Sequence, residues 1–125
     1  MILIFGGAYQ GKLEYALERF GLDESDVYRC GNNADTPQNK KIIYEIDKWI
    51  YELVKTGADA RSKVRECIKN NPGAIVICND ISCGVVPAKA IEREWREEAG
   101  RALAEFSKAS SEVTRLFCGI PTKIK

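Results

Sequence analysis

Short apolar runs alternate along the chain with longer segments in which apolar residues recur at helical spacing. Residues 2–5 and 74–78 are continuous apolar runs, which is the pattern of strands buried on both faces of a parallel sheet. Residues 27–30 and 113–118 predict two further strands, the second being the last element before Gly119. The pattern therefore predicts short strands separated by helices or loops.

Three segments carry apolar residues along one helical face. The first is residues 12–20, which stop at Gly21, and glycine is a common residue just beyond a helix. Asp59 can cap a second helix that runs to about Lys69. Residues 88–109 predict a third helix, with glutamate–arginine pairs four residues apart on its polar side.

Residues 40–56 admit two interpretations. Apolar residues from Ile42 to Val54 recur with the period of an amphipathic helix. A strand at residues 42–44 that runs into a helix is the alternative, because a short apolar run fits either element. The sequence leaves both open, and Gly57 breaks the pattern in either case.

The alternation of strands and helices predicts an α/β fold, a three-layer arrangement with a mainly parallel sheet flanked by helices. A length of 125 residues is typical of one domain, so residues 1–125 are expected to form a single unit. The composition, with 45% apolar and 30% charged residues, is ordinary for a globular protein.

Charge and hydropathy limit the partners. The formal net charge is +1, which argues against a protein that coats nucleic acid. The apolar run at residues 2–5 is too short to cross a bilayer and has no basic segment before it, so it predicts neither a signal peptide nor a membrane span. We expect a cytoplasmic protein that has no membrane or nucleic-acid partner and that forms a homo-oligomer.

The chain contains no histidine, which excludes several chemistries. A Ser–His–Asp triad, a Cys–His pair, a histidine-ligated zinc and a nucleotidyl-histidine intermediate all require an imidazole. Five cysteines without a Cys-x-x-Cys spacing predict neither a zinc site nor a disulfide framework. We expect reduced and mostly buried thiols, with Cys83 an inert loop thiol because no histidine can activate it.

The most specific motif lies between the first strand and the first helix and matches G-x-x-x-x-G-K. It consists of Gly6, Gly7, Ala8, Tyr9, Gln10, Gly11 and Lys12. Glycines let the backbone curl so that its N–H groups point at phosphate oxygens, the helix N-terminus adds partial positive charge, and the lysine reaches the β and γ phosphates. A plain glycine-rich turn is the alternative, but the position between strand and helix favours a phosphate-binding loop.

Leu13 departs from this motif, which has serine or threonine at that position. The missing hydroxyl is a ligand of Mg²⁺, so its loss should weaken metal placement and phosphoryl transfer more than triphosphate binding. GTP or ATP is the expected ligand, and Mg²⁺ stays open as a cofactor.

A polar pair follows the second buried strand, at the edge of the sheet where open α/β folds bind ligands. Asp80 could there hold a metal-bound water, a ribose or a substrate hydroxyl. It could equally be a loop aspartate that makes turn hydrogen bonds. The sequence does not choose between these roles.

Three blocks of sequence occur in an order that points to one enzyme family. Residues 6–12 form the first block, and residues 79–87 read Asn-Asp-Ile-Ser-Cys-Gly-Val-Val-Pro and precede Arg-Glu-Trp-Arg-Glu at residues 93–97. The third block is Gly-Ile-Pro-Thr-Lys-Ile-Lys at residues 119–125. Together they resemble the adenosylcobinamide kinase/adenosylcobinamide-phosphate guanylyltransferase family, which typically has Asn-Glu-Val-Gly-x-Gly-Ile-Val-Pro in the second block.

The resemblance implies a P-loop nucleotide-binding fold, a corrinoid substrate and a place in cobalamin biosynthesis. It implies that residues 6–12 hold nucleotide phosphates and that Asp80 stands where the family has glutamate. It also implies that Cys30, Gly31 and Asn32 fall near the nucleotide. Glu45, or in another register Asp47, would supply the family carboxylate after the next strand.

The chain departs from this family at the residue that carries its covalent chemistry. The family transfers GMP through a guanylylated histidine, and the segment that bears it is absent between Gly31 and Lys41. We therefore expect a shortened nucleotide-binding member without the covalent route. A small-molecule kinase that recruits Mg²⁺ through Asp80, Glu45 or Asp47 is one alternative, and a non-catalytic subunit or regulator is the other.

Overall fold

A computed structural model describes residues 1–81 and 86–125. Within these residues the strands are β1 (Ile2–Gly6), β2 (Val27–Arg29), β3 (Ile42–Tyr44), β4 (Ile75–Asn79), β5 (Glu112–Phe117) and β6 (Ile120–Lys123). The α-helices are α1 (Lys12–Phe20), α2 (Ile46–Thr56), α3 (Ala60–Asn70) and α4 (Ala90–Ala109). The sequence block at residues 79–87 lies partly outside the described residues, and Cys83, which is expected to be an inert thiol, lies wholly outside them.

The strands form one sheet in the order β2-β3-β4-β1-β5-β6. The first five strands are parallel, and β6 is antiparallel to β5. The central strand β1 pairs from Ile2 with Ile75 to Gly6 with Asn79 on β4, and its other edge pairs with β5. The carboxyl ends of the five parallel strands therefore meet at one edge of the sheet.

The sheet lies between two helical layers. Helix α1 packs on one face, against a cluster that includes Ile4 and Ile77. Helices α2, α3 and α4 pack on the other face, where Leu3 and Val76 meet the fully buried Phe106 of α4. This confirms the predicted three-layer α/β fold with a mainly parallel sheet.

The segment at residues 40–56 follows the second of its two interpretations. Strand β3 is separated from α2 by Glu45, which has a left-handed φ of 63°. The helical reading of the whole segment is wrong because Ile42 and Ile43 are buried on opposite faces of the sheet, in different core clusters. Two adjacent apolar residues are compatible with the spacing of an amphipathic helix and also with a strand that is buried on both faces, so the sequence alone does not distinguish them.

A sixth strand follows the one expected to be last. The chain reverses at Cys118 and Gly119, which both have left-handed φ values, of 52° and 75°. Every residue of β6 is exposed. An exposed edge strand shows no alternation of buried and solvated positions, so the sequence pattern gave no signal for it.

The predicted helix ends are confirmed. Gly21 takes a left-handed conformation after α1, and the Asp59 side chain accepts a hydrogen bond from the Ser62 backbone N–H at the start of α3. On α4, the Arg101 guanidinium lies 2.6 Å from the Glu97 carboxylate, as expected for this i,i+4 pair. Across residues 1–81 and 86–125, no helix is long and apolar enough to span a membrane.

The described cysteines are free thiols, and most are buried as predicted. Cys30, Cys67 and Cys78 are buried, whereas Cys118 is exposed. Burial raises the pKa of all three buried thiols, that of Cys67 to about 12. Their thiolate forms are therefore negligible at neutral pH, so these residues act as small apolar core side chains.

Candidate functional site

An open cleft of about 450 Å³ lies at the carboxyl edge of the sheet, beside the ends of β1, β3 and β4. Its lining residues are Ala8, Tyr9, Gln10, Gly11, Lys12, Glu14, Tyr44, Glu45, Lys48 and Asn79. Most of the exposed lining is polar. The cleft has the position in which open parallel sheets bind ligands, since the loops that follow adjacent strands converge there.

The glycine-rich loop connects β1 to α1 as its sequence predicts. A Cβ atom on Gly6 would lie 2.3 Å from the Leu116 carbonyl oxygen, so only glycine permits this close approach between β1 and β5. Gly11 precedes the first residue of α1 and has a left-handed φ of 82°. The Gln10 side-chain carbonyl accepts a hydrogen bond from the Cys118 backbone N–H, which ties the loop to the β5–β6 turn.

Lys12 is buried at the base of this loop, with 5% of its surface exposed. Its ammonium group donates a hydrogen bond of 2.6 Å to the Gly7 carbonyl oxygen across the loop. Burial lowers the pKa of Lys12 from its ordinary value, while the nearby Asp47 carboxylate acts in the opposite direction. A cation held inside a curled backbone suits a polyanionic ligand, because the charge is positioned before the ligand arrives.

Asp47 fixes the start of α2 to the end of β4. Its carboxylate accepts hydrogen bonds from the Asn79 backbone N–H at 3.0 Å and from the Asn79 side-chain amide at 3.4 Å. Its backbone carbonyl accepts a bond of 2.7 Å from the Trp95 indole N–H on α4. Burial raises the pKa of Asp47, and the Asn79 bonds oppose that shift. Asp47 is thus a buried carboxylate whose contacts orient Asn79, a residue of the cleft wall.

Glu45 reaches the cleft, as the sequence analysis expected, but its carboxylate forms an ion pair with the ammonium group of Lys48. The aliphatic part of Lys48 packs against Gly31, where a Cβ atom would lie 3.2 Å from the lysine Cβ. Lys48 therefore holds a cation at the cleft wall while its stem is supported by the neighbouring loop.

Residues 30–32, which were expected near the nucleotide, do not line this cleft. They line a separate cavity of about 180 Å³ together with Trp49 and other residues. The Cys30 backbone N–H donates a bond of 3.1 Å to the Tyr44 carbonyl oxygen, which carries the chain past the end of β3. The structure brings these residues next to the cleft, across Lys48, rather than into it.

Asp80 follows β4 directly, and its backbone N–H donates a hydrogen bond of 2.8 Å to the Gly6 carbonyl oxygen. This bond places the Asp80 backbone beside the start of the glycine-rich loop. Of the predicted ligand-binding residues, Ala8 to Lys12 and Glu45 line the cleft, while Gly6, Gly7 and Asp80 form the junction of loop and strands.

The hydroxyl ligand of Mg²⁺ that usually accompanies this loop motif is missing from its usual position. Leu13 stands at the position of the metal-binding hydroxyl and is buried in an apolar cluster with Ile4 and Ala16. Both Asp47 oxygens are engaged by Asn79, and Glu45 is paired with Lys48. Among the described residues, no group of three or more His, Cys, Asp or Glu side chains is arranged to hold a metal ion.

Sequence reasoning missed Lys48, together with Tyr44 and Glu14 on the cleft wall. A signal for Lys48 was present, because it lies in the first turn of α2, three residues after Glu45. A cation is unfavourable at the positive end of a helix dipole, so a lysine there suggests a role other than helix stability. That signal required knowing that α2 begins at Ile46, which the competing helical interpretation obscured.

Comparison with known proteins identifies a family whose model matches this chain. The model for "Cobinamide kinase / cobinamide phosphate guanyltransferase" matches residues 36–124, more than half of the chain. The match begins after the glycine-rich loop, so the interpretation of residues 6–12 rests on their motif and geometry.

Two curated relatives carry the name "Bifunctional adenosylcobalamin biosynthesis protein CobU". The protein from Escherichia coli is 28% identical over 81 residues, which cover 63% of this chain and 45% of the relative. The protein from Salmonella typhimurium is 26% identical over 81 residues, with the same coverage of both chains. The chain therefore matches less than half the length of either relative. The segment that the family model matches includes β3 and α2, which supply part of the cleft wall, and the chain belongs to the cobinamide kinase/cobinamide phosphate guanyltransferase family.

Proposed function

We propose that this protein binds a nucleoside triphosphate, GTP or ATP, in the cleft at the carboxyl edge of its sheet. The observation that carries the proposal is the buried Lys12 inside the curled loop of residues 6–12. Backbone N–H groups of that loop and the N-terminus of α1 would surround the phosphates. Membership of the cobinamide kinase/cobinamide phosphate guanyltransferase family supports a role in cobalamin biosynthesis, with a corrinoid as the second ligand.

The proposed function does not include guanylyl transfer through a covalent histidine intermediate. The 125 residues contain no histidine, so no imidazole is present to accept GMP. The three buried cysteines, Cys30, Cys67 and Cys78, cannot substitute as nucleophiles, since burial raises their pKa values and their thiolate populations are negligible.

Phosphoryl transfer is a second candidate, favoured by the kinase activity in the family description. Kinases place Mg²⁺ to neutralise charge on the transferred phosphoryl group. Leu13 supplies no oxygen for that ion, and the Glu45 carboxylate is neutralised by Lys48. These contacts favour nucleotide binding over turnover, which agrees equally with a non-catalytic subunit or regulator of the pathway.

Calorimetric titration tests the proposal. The protein is titrated with GTP and with ATP, each with Mg²⁺ and with EDTA, and with guanosine as the control that lacks phosphates. We expect saturable binding of a triphosphate and no comparable binding of guanosine, because the loop recognises phosphate oxygens. Absence of binding to both triphosphates at millimolar concentration would overturn the proposed function.

Leu13→Ser should introduce a dependence on Mg²⁺. The serine hydroxyl stands where the motif places its metal ligand, so Mg²⁺ is expected to tighten GTP binding to the variant but not to the wild type. The substitution removes a buried leucine and should cost about 3 kcal/mol of stability. Titrations with Mg²⁺ and with EDTA measure the first effect, and thermal unfolding measures the second. Equal affinities of the variant in both conditions would contradict this account of the metal site.

A further inference from the structure

The cleft contains a second cationic side chain, Lys48, whose ammonium group is paired with a carboxylate. Lys48 and Lys12 both line it, on α2 and α1 respectively. Lys12 is buried, whereas 54% of the Lys48 side chain is exposed and its ammonium group is paired with Glu45. The aliphatic stem of Lys48 packs against Gly31.

A triphosphate in this cleft would need more positive charge than Lys12 supplies. The usual source is a metal ion held by the loop hydroxyl, and Leu13 removes that ligand. Lysine binds phosphate as a compact point charge on a flexible stem, so it can supply the missing charge without a fixed coordination geometry.

We infer that Lys48 is a second phosphate-binding residue. Its ammonium group exchanges its Glu45 partner for the polyphosphate, so that triphosphate binding does not depend on a divalent metal. The inference rests on the proposed nucleotide-binding function. Glu45 then competes with the ligand for the same ammonium group. Removal of Lys48 should weaken binding, and removal of the Glu45 charge should strengthen it, because the competing anion is gone and the repulsion of phosphate by a carboxylate is gone with it.

Helix α2 offers a matched control at Lys55, seven residues or about two turns further along. Lys55 pairs with Glu52 three residues before it, at 3.3 Å, and its side chain is 52% exposed. The two lysines thus share element, spacing and exposure, but Lys55 does not line the cleft. If only the loss of a lysine–glutamate ion pair mattered, Lys48→Met and Lys55→Met should change ligand affinity to the same extent.

The experiment compares Lys48→Met, Glu45→Gln, Lys55→Met and Glu52→Gln with the wild type. Each protein is titrated in EDTA with inorganic tripolyphosphate, GTP and GMP, after thermal unfolding has shown that it is folded. We expect Lys48→Met to bind tripolyphosphate and GTP roughly tenfold more weakly, as for loss of one charged hydrogen bond. Glu45→Gln should bind them about threefold more tightly, and GMP binding should change less than GTP binding.

Different results separate this inference from the proposed function. If the wild type binds GTP and Lys48→Met binds it as tightly as Lys55→Met does, Lys48 is not a phosphate ligand and the inference is wrong. If Glu45→Gln weakens binding, Glu45 is not a competitor and the inference is again wrong. If the wild type binds neither tripolyphosphate nor GTP, the proposed function fails and the inference fails with it.

Discussion

Gly6→Ala is expected to lower the midpoint of thermal unfolding by about 10–20 °C. The added Cβ atom would lie 2.3 Å from the Leu116 carbonyl oxygen, which is a backbone atom of the adjacent strand β5. Neither strand can move away without breaking the ladder between β1 and β5. Relief of the overlap would displace the start of the phosphate loop, so triphosphate binding should be lost as well.

Gly100→Ala provides the control for this prediction. Gly100 lies within α4, and a Cβ atom placed there meets no other atom within 4 Å. Alanine in a helix interior is more favourable than glycine, so this variant should be stabilised by about 0.5–1 kcal/mol. Differential scanning calorimetry of both variants gives the comparison. A midpoint for Gly6→Ala within 3 °C of the wild type (a shift of about 1 kcal/mol or less) would show that β1 and β5 are not this close.

Lys12→Met should weaken GTP binding strongly without a comparable loss of stability. The ammonium group is expected to contact phosphate inside a buried loop, where a charge-assisted hydrogen bond is strong, so GTP should bind about 100-fold more weakly. Methionine has a similar shape and no charge to bury, and it removes the unfavourable burial that lowers the pKa of Lys12. The stability of the variant should therefore be within about 1 kcal/mol of the wild type or higher.

Titration and chemical denaturation of Lys12→Met test the two effects separately. Lys40→Met is the matched control, since Lys40 also donates to a backbone carbonyl, that of Ser25, but does not line the cleft. Its GTP affinity should equal that of the wild type. If Lys12→Met binds GTP within threefold of wild type, the loop is not the phosphate site. A loss of several kcal/mol of stability would instead assign Lys12 a structural role.

Local signals in the sequence were sufficient for the parts of the fold that local residues determine. Gly21 ends α1 and Asp59 caps α3 through contacts within a few residues, and both were predicted. The pairing of Ile42 with Ile75 depends on burial from both faces by distant elements, so a strand at β3 stayed one of two interpretations. The exposed β6 carries no burial pattern at all, and only its hydrogen bonds to β5 define it.

The candidate site likewise combines a part that local sequence determines with parts that depend on distant elements. The loop that ends at Lys12 is contiguous in sequence, and its position between β1 and α1 could be predicted from seven residues. The Asp47–Asn79 contact joins residues 32 positions apart and depends on where α2 crosses the sheet. Gly31 lies beside the cleft instead of in it because β2 is an edge strand, separated from β1 by β3 and β4. Strand order was not available from the sequence pattern.

The hydrogen bond from the Cys118 backbone N–H to the Gln10 side chain couples the order of the glycine-rich loop to the order of the β5–β6 turn. Linked equilibria are reciprocal: whatever favours one ordered partner favours the other by the same free energy. A ligand that orders the loop should therefore make opening of the β5–β6 hairpin less favourable, and an interaction that stabilises the hairpin should favour the ordered loop by the same free energy. The exposed β5–β6 hairpin is therefore expected to influence ligand binding at the proposed nucleotide site.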